Sequence, residues 1–207
     1  MKETYNIFVE GIADKRFIEQ LLEHIFHVSV SPECVIKTDG CTKLVSPATE
    51  KTYLNQMKRN SADGGVNLVI FDADDDFNQR CSELLAWKER NHVDFELFLF
   101  PNNANIGELE DLLGQIIHAE NQPVMDCWDK YEQALEKIDL PWRNGEPLTL
   151  PAKKTRIYAY LEALVGKSKS EKEKIKEKNR DYLNRNHWNL NAEALAALTD
   201  FLQKHLA

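Results

Sequence analysis

The 207-residue sequence predicts an α/β fold: a short, mainly parallel sheet flanked by helices, with a helical C-terminal extension. Three observations predict it. Apolar runs at Tyr5 to Val9, Leu68 to Phe71 and Phe95 to Phe100 read as strands, the second of them covered on both faces. The stretches between them place apolar residues at helical spacing, over lengths that suit parallel crossovers. After roughly the first 120 residues the strand-like runs stop and helical patterning takes over. The expected division is an α/β domain over residues 1–120 and a helical extension packed on it over residues 121–207.

Taken in order, Tyr5 to Val9 is a buried strand that turns at Gly11. Asp14 opens a helix whose Phe17, Ile18, Leu21, Leu22 and Ile25 form one apolar face. Cys34 to Lys37 is a short candidate strand. From about Ser46 to Asn60 the pattern suits a polar surface helix, ended by Asp63-Gly64-Gly65. Leu68 to Phe71 is the clearest strand and runs into Asp72-Ala73-Asp74-Asp75-Asp76. A helix carrying Leu84, Leu85 and Trp87 follows, then the strand Phe95 to Phe100, stopped by Pro101. Leu109, Leu112, Leu113, Ile116 and Ile117 stripe the next helix. Beyond it, Val124 to Ile138 and Thr155 to Val165 read as helical. The charged run Lys167 to Arg180 reads as an exposed helix or loop, and Trp188 to Leu202 as a final helix docked on the core.

Composition narrows the function classes. Hydrophobic residues at 43% and charged residues at 29% are ordinary for a globular chain. No apolar run is long enough to cross a bilayer, and the N-terminus leads into a strand without a signal segment. A cytoplasmic protein without membrane association is expected. Cys34, Cys41, Cys81 and Cys127 show no C-x-x-C spacing, so buried free thiols are expected rather than zinc or a disulfide framework. A net charge of −8 weighs against a simple DNA-binding module. It weighs less against a metal-dependent enzyme, whose ligands are themselves acidic.

The chemical signal is a set of acids at strand ends. Glu10 lies just past the first strand, and Asp72 and Asp74 just past the central one. In open parallel sheets the C-terminal strand ends share one edge, where ligands bind. Alternate residues of an extended segment point the same way, so Asp72 and Asp74 are expected to reach one ion together. Three acids closing two buried strands repel one another unless a cation intervenes. Carboxylate oxygens suit Mg²⁺, with Mn²⁺ a second candidate. A metal held in this way can position a phosphodiester and assist its hydrolysis.

Phe8-Val9-Glu10-Gly11-x-x-Asp14-x-x-Phe17 resembles the opening motif of Toprim domains, and Phe71-Asp72-Ala73-Asp74 resembles their later D-x-D motif. The resemblance spans roughly Asn6 to Ile117. It is strongest to the OLD-type nuclease branch and to small stand-alone Toprim-like proteins, through Phe98-Leu99-Phe100-Pro101 followed by Leu109-Glu110-Asp111-Leu112-Leu113. It implies a Toprim-like fold and a Mg²⁺-dependent nuclease acting on nucleic acid. Glu10 would be a metal ligand or general acid/base, Asp72 and Asp74 metal ligands, and Asp14 and Glu110 additional metal-binding acids. Lys153 or Lys154 resembles a late lysine that stabilises phosphoryl charge, with Lys154 taken as the candidate. OLD proteins carry an ATPase domain, and no G-x-x-x-x-G-K-[ST] occurs here, so an ATPase would come from a separate partner chain or be absent.

Other readings stay open. Asp14 has the position of a helix cap. Glu108, Glu110 and Asp111 fall in a first helical turn, where negative charge suits the helix dipole. Asp75 and Asp76 suit a solvated turn or cap. The run Lys167 to Arg180 reads either as a phosphate contact or as a solvated face laced with i,i+4 pairs. A non-catalytic module that binds metal, nucleic acid or a partner is the alternative function. A haloacid-dehalogenase-like phosphatase, with Asp72 as nucleophile, is a third.

Overall fold

Four parallel strands form the sheet, in the order β2-β1-β3-β4. The structure, a computed structural model, describes residues 4–46 and 48–207. Pro47, inside the helix expected over Ser46 to Asn60, lies outside the described residues, as do the first three residues of the N-terminal stretch. In chain order the elements are β1 (Tyr5–Val9), α1 (Ile12–Phe26), β2 (Val35–Lys37), α2 (Cys41–Val45), α3 (Glu50–Ala62), β3 (Val66–Asp72), α4 (Phe77–Asn91), β4 (Glu96–Phe100) and α5 (Leu109–Gln115). Then come α6 (Gln122–Leu135), α7 (Lys153–Val165), α8 (Lys169–Lys174) and α9 (Ala196–Leu206), with short 3₁₀ turns between some of them.

Each expected strand is present and every pairing is parallel. Alternation along the strands sorts the core into two layers. Val69 and Phe71 of β3 join Phe8 and Leu99 in a cluster with Met57 of α3 and Leu84 and Trp87 of α4. The intervening residues face the other way. There the Phe100 ring lies 6.5 Å from Phe17 of α1, and the Phe98 ring lies 5.3 Å from Phe201 of α9. With helices on both faces, the strands need continuous apolar sequence, and that is why they are legible as unbroken runs.

Asn67 is the polar exception within β3. It is 3% exposed. Its amide nitrogen is within hydrogen-bond distance of the carbonyls of Met57 (3.1 Å) and Asp94 (3.0 Å) and of Ser61 Oγ (3.0 Å). Its oxygen accepts from Asn60 at 3.0 Å. One side chain thus ties β3 to α3 and to the turn before β4. Asn67→Ala should cost about 3 kcal/mol, because it strands buried carbonyls without donors. Thermal unfolding checks this; a loss below about 1 kcal/mol would remove Asn67 from the structural account.

The chain divides into two compact units. The first comprises residues 1–116 and 190–207, the second Ile117–Asn189. This differs from the expected division at residue 120. An amphipathic pattern shows that α9 buries a face but not against what; in the structure it packs beside α1 in the sheet unit. The second unit is helical. Tyr160, Tyr182 and Trp188 pack at its centre, with ring centroids 5.5 and 5.4 Å from Trp188. Its two ends pair through an isolated bridge between Ile117 and Trp188. Among the described residues, no helix is long and apolar enough to cross a membrane. The four cysteines are free thiols, but only Cys41 is buried as expected; Cys34 and Cys81 are half-buried and Cys127 is exposed on α6.

Candidate functional site

The site is at the C-terminal edge of β1 and β3. These strands are neighbours in register, Val9 opposite Ile70, so the residues that follow them emerge side by side. Glu10 follows β1 directly. Its Oε1 accepts the backbone N–H of Asp72 at 3.2 Å, and its Oε2 accepts that of Cys41, the first residue of α2, at 3.1 Å. The convergence expected of Glu10 and Asp72 is therefore present, and the Glu10 carboxyl is clamped at both oxygens.

Asp72 ends β3, two residues after Ile70, so its side chain falls on the α1 layer of the sheet. Its Oδ1 accepts from Leu109 N–H, at the start of α5, at 2.9 Å. Asp14 sits in the first turn of α1 in that same layer. It is 6% exposed, and its Oδ2 accepts from Gly11 N–H at 2.9 Å. The capping role is thus real, but the cap places a buried carboxylate beside Asp72.

The electrostatics follow from this crowding. Burial first, then the charges of Asp14, Glu10 and Glu110, push the Asp72 carboxyl up to about 9. Burial and the charges of Glu110 and Glu10 push Asp14 up to about 6, against the lowering effect of its backbone hydrogen bonds. Glu10 is also raised, chiefly by burial, although the two N–H groups and Arg80 oppose the shift. Four acids, Glu10, Asp14, Asp72 and Glu110, thus interact at one sheet edge.

Asp74 is placed differently from the expectation. The alternation that aims Asp72 stops with the strand, because Asp74 has φ 53°. Its backbone exchanges two hydrogen bonds with Gly107, at 3.0 and 2.9 Å, and its carboxylate forms an ion pair with Arg80. It also acts on Glu10 through its charge. Arg80, on α4, was missed in the sequence. Its guanidinium pairs with Asp74 and lies 3.9 Å from Glu83, and its charge also reaches Glu10 and Cys41. The available signal was an arginine one helical turn after the cap Asp76, whose Oδ1 accepts Gln79 N–H at 2.9 Å. Asp74, Asp75, Asp76, Gln79, Arg80 and Glu83 line a cleft of about 280 Å³.

Of the remaining candidates, Asp111 reaches back to Glu108 N–H at 2.8 Å as a helix cap. Lys154 lies at the start of α7 in the helical unit, where it pairs with Glu177.

The donor set fits a hard divalent cation, being carboxylate oxygens with desolvated negative charge. Among the described residues, no three His, Cys, Asp or Glu side chains stand as a ready metal cage. Mg²⁺ needs no such cage, since it keeps several waters and uses one or two carboxylates. Asp72 with Glu10 or Asp14 supplies the carboxylates that could hold such an ion.

Residues 4–207 match the family described as "Protein of unknown function (DUF3226)", and the chain belongs to it. No curated protein and no solved structure matches the chain significantly.

Proposed function

We propose that this member of a family of unknown function hydrolyses phosphodiester bonds of nucleic acid with Mg²⁺, as a Toprim-like, OLD-type nuclease would. The observation that carries the reading is the meeting of Glu10 and Asp72, with Asp14 in the same layer, at the end of a parallel sheet. Buried acids crowded at a ligand-binding edge cost stability, and a function that needs them accounts for the cost. A cation bound there would supply charge neutralisation and Lewis acidity at the phosphoryl group.

The protein's own groups have distinct parts. Two backbone N–H groups fix the aim of Glu10, and burial raises its proton affinity. That combination suits a base taking a proton from an attacking water. Asp72, held by Leu109 N–H, and the neighbouring Asp14 would hold the metal. Arg80, whose charge reaches Glu10, offsets charge developing on the phosphoryl oxygens, a part that the resemblance gave to Lys154. Free thiols and the Mg²⁺ requirement suit the cytoplasm, and a separate ATPase chain is a partner consistent with the OLD resemblance.

The test is cleavage of supercoiled plasmid, single-stranded DNA and RNA in Mg²⁺ or Mn²⁺, with wild type and Asp72→Ala compared. Wild type should cleave at least one substrate, and the substitution should lower the rate roughly a hundredfold or more. Equal cleavage by a folded Asp72→Ala protein would remove the assignment. Metal binding without turnover would instead favour the non-catalytic binding module.

A further inference from the structure

The helical unit differs in charge from the rest of the chain. Ile117–Asn189 contains 14 Lys/Arg and 12 Asp/Glu, whereas the whole chain has 26 against 34. The excess is concentrated between Lys153 and Arg185, with 11 basic and 5 acidic residues. Lys167, Lys169, Lys172, Lys174, Lys176 and Lys178 are all exposed there, on α8 and its flanks.

The acids of this region are already engaged. Glu171 closes a capping box with Ser168, accepting its backbone N–H at 2.8 Å. Glu162 pairs with Lys172, Glu177 with Lys154, and Glu173 with Lys176 at 2.5 Å. Asp181 accepts from Leu183 N–H at 3.1 Å. Lys167, Lys169, Lys174 and Lys178 form no ion pair among the described residues. A solvated face laced with i,i+4 pairs would neutralise its lysines locally; this segment leaves four ammonium groups facing solvent.

The segment is also anchored. Arg180, 1% exposed, donates from Nε to the Ile175 carbonyl at 3.3 Å. Its guanidinium lies 5.1 Å from the Tyr158 ring and 5.9 Å from the Tyr182 ring. Ile175 is buried beside it. The lysines are therefore displayed from a fixed backbone, which lowers the ordering cost of binding.

We propose that residues 167–178 of the helical unit form a docking surface for the phosphate backbone of a nucleic acid. The choice of polyanion rests on the function proposed above; the surface itself does not use the acids at the sheet edge. Clustered, unpaired ammonium groups hold condensed anions, and a polyphosphate backbone binds by replacing them and releasing its own counterions.

The test measures binding of fluorescent 20-nucleotide single strands and 20-base-pair duplexes in EDTA, as a function of salt. Two variants are compared with wild type: K167Q/K169Q/K174Q/K178Q and a charge-matched K51Q/K58Q/R90Q/K204Q control in the sheet unit. Wild type and control should bind alike. The lysine variant should bind about tenfold more weakly or worse, with a log–log salt dependence shallower by about 3. The surface is overturned if wild type does not bind, if the lysine variant matches wild type, or if the control loses as much. It is also overturned if phosphatidylserine vesicles, and not oligonucleotides, show the lysine-dependent binding. Lysine-dependent binding without cleavage would keep the surface and remove the hydrolytic reading; cleavage with lysine-independent binding would do the reverse.

Discussion

Asp72→Asn should make the metal-free protein more stable, by ~2 kcal/mol or more at pH 8, while abolishing stabilisation by Mg²⁺. The direction follows from the crowding at the sheet edge. Asp72 is raised to about 9 by burial and by the charges of Asp14, Glu10 and Glu110. In an unfolded chain an aspartate titrates near about 3.9. The folded state therefore binds the proton more tightly. Its contribution is fully present below about pH 4 and is lost as pH rises toward 9. Asp14 adds a smaller loss of the same sign, complete near pH 6. Asparagine keeps the oxygen that accepts Leu109 N–H and removes the charge. Melting temperatures of the two proteins should coincide near pH 4 and diverge by about 5 °C or more at pH 8. Millimolar Mg²⁺ should close that gap by raising only the wild type, and more so at higher pH, because the cation competes with protons. An Asp72→Asn protein less stable than wild type at every pH would mean that the carboxylate is satisfied by its surroundings and that no cation is called for.

Much of this site is legible in the sequence, because it depends on strand ends. Continuous apolar runs locate β1 and β3, parallel crossovers put their ends on one edge, and the acids that follow must then approach one another. What escaped lies in the loops and caps. The short α2 carries no strong periodicity, yet its first N–H, from Cys41, holds one oxygen of Glu10. Asp74 was aimed by strand alternation, but β3 ends two residues earlier and Asp74 takes a left-handed conformation, which aspartate tolerates better than most residues. The partner of Arg80, six residues back, is reached only because the chain turns at Asp74 before α4 begins. The return of α9 to the sheet unit is a matter of topology, which an amphipathic stripe does not encode.

That turn also makes Gly107 a sensitive position. It has φ 137°, a region that L side chains rarely adopt, and it exchanges both backbone hydrogen bonds with Asp74. A Cβ there would lie 2.5 Å from Asp111 Oδ2 and 3.1 Å from Pro101 Cδ. Asp111 is not free to retreat without cost, since that same oxygen accepts Glu108 N–H at 2.8 Å and so caps α5. The next N–H, from Leu109, holds Asp72. Gly107→Ala should therefore cost about 3 kcal/mol, part backbone strain and part the lost cap. It should also weaken Mg²⁺-dependent stabilisation by loosening Asp72. Gly145→Ala separates the two contributions: Gly145 has φ 84°, but nothing lies within 4 Å of the added carbon. That substitution should cost only about 1 kcal/mol and leave the response to Mg²⁺ intact. If urea denaturation found the two variants equally destabilised, Asp111 would be moving aside freely, and the start of α5 would not be what holds Asp72 in place.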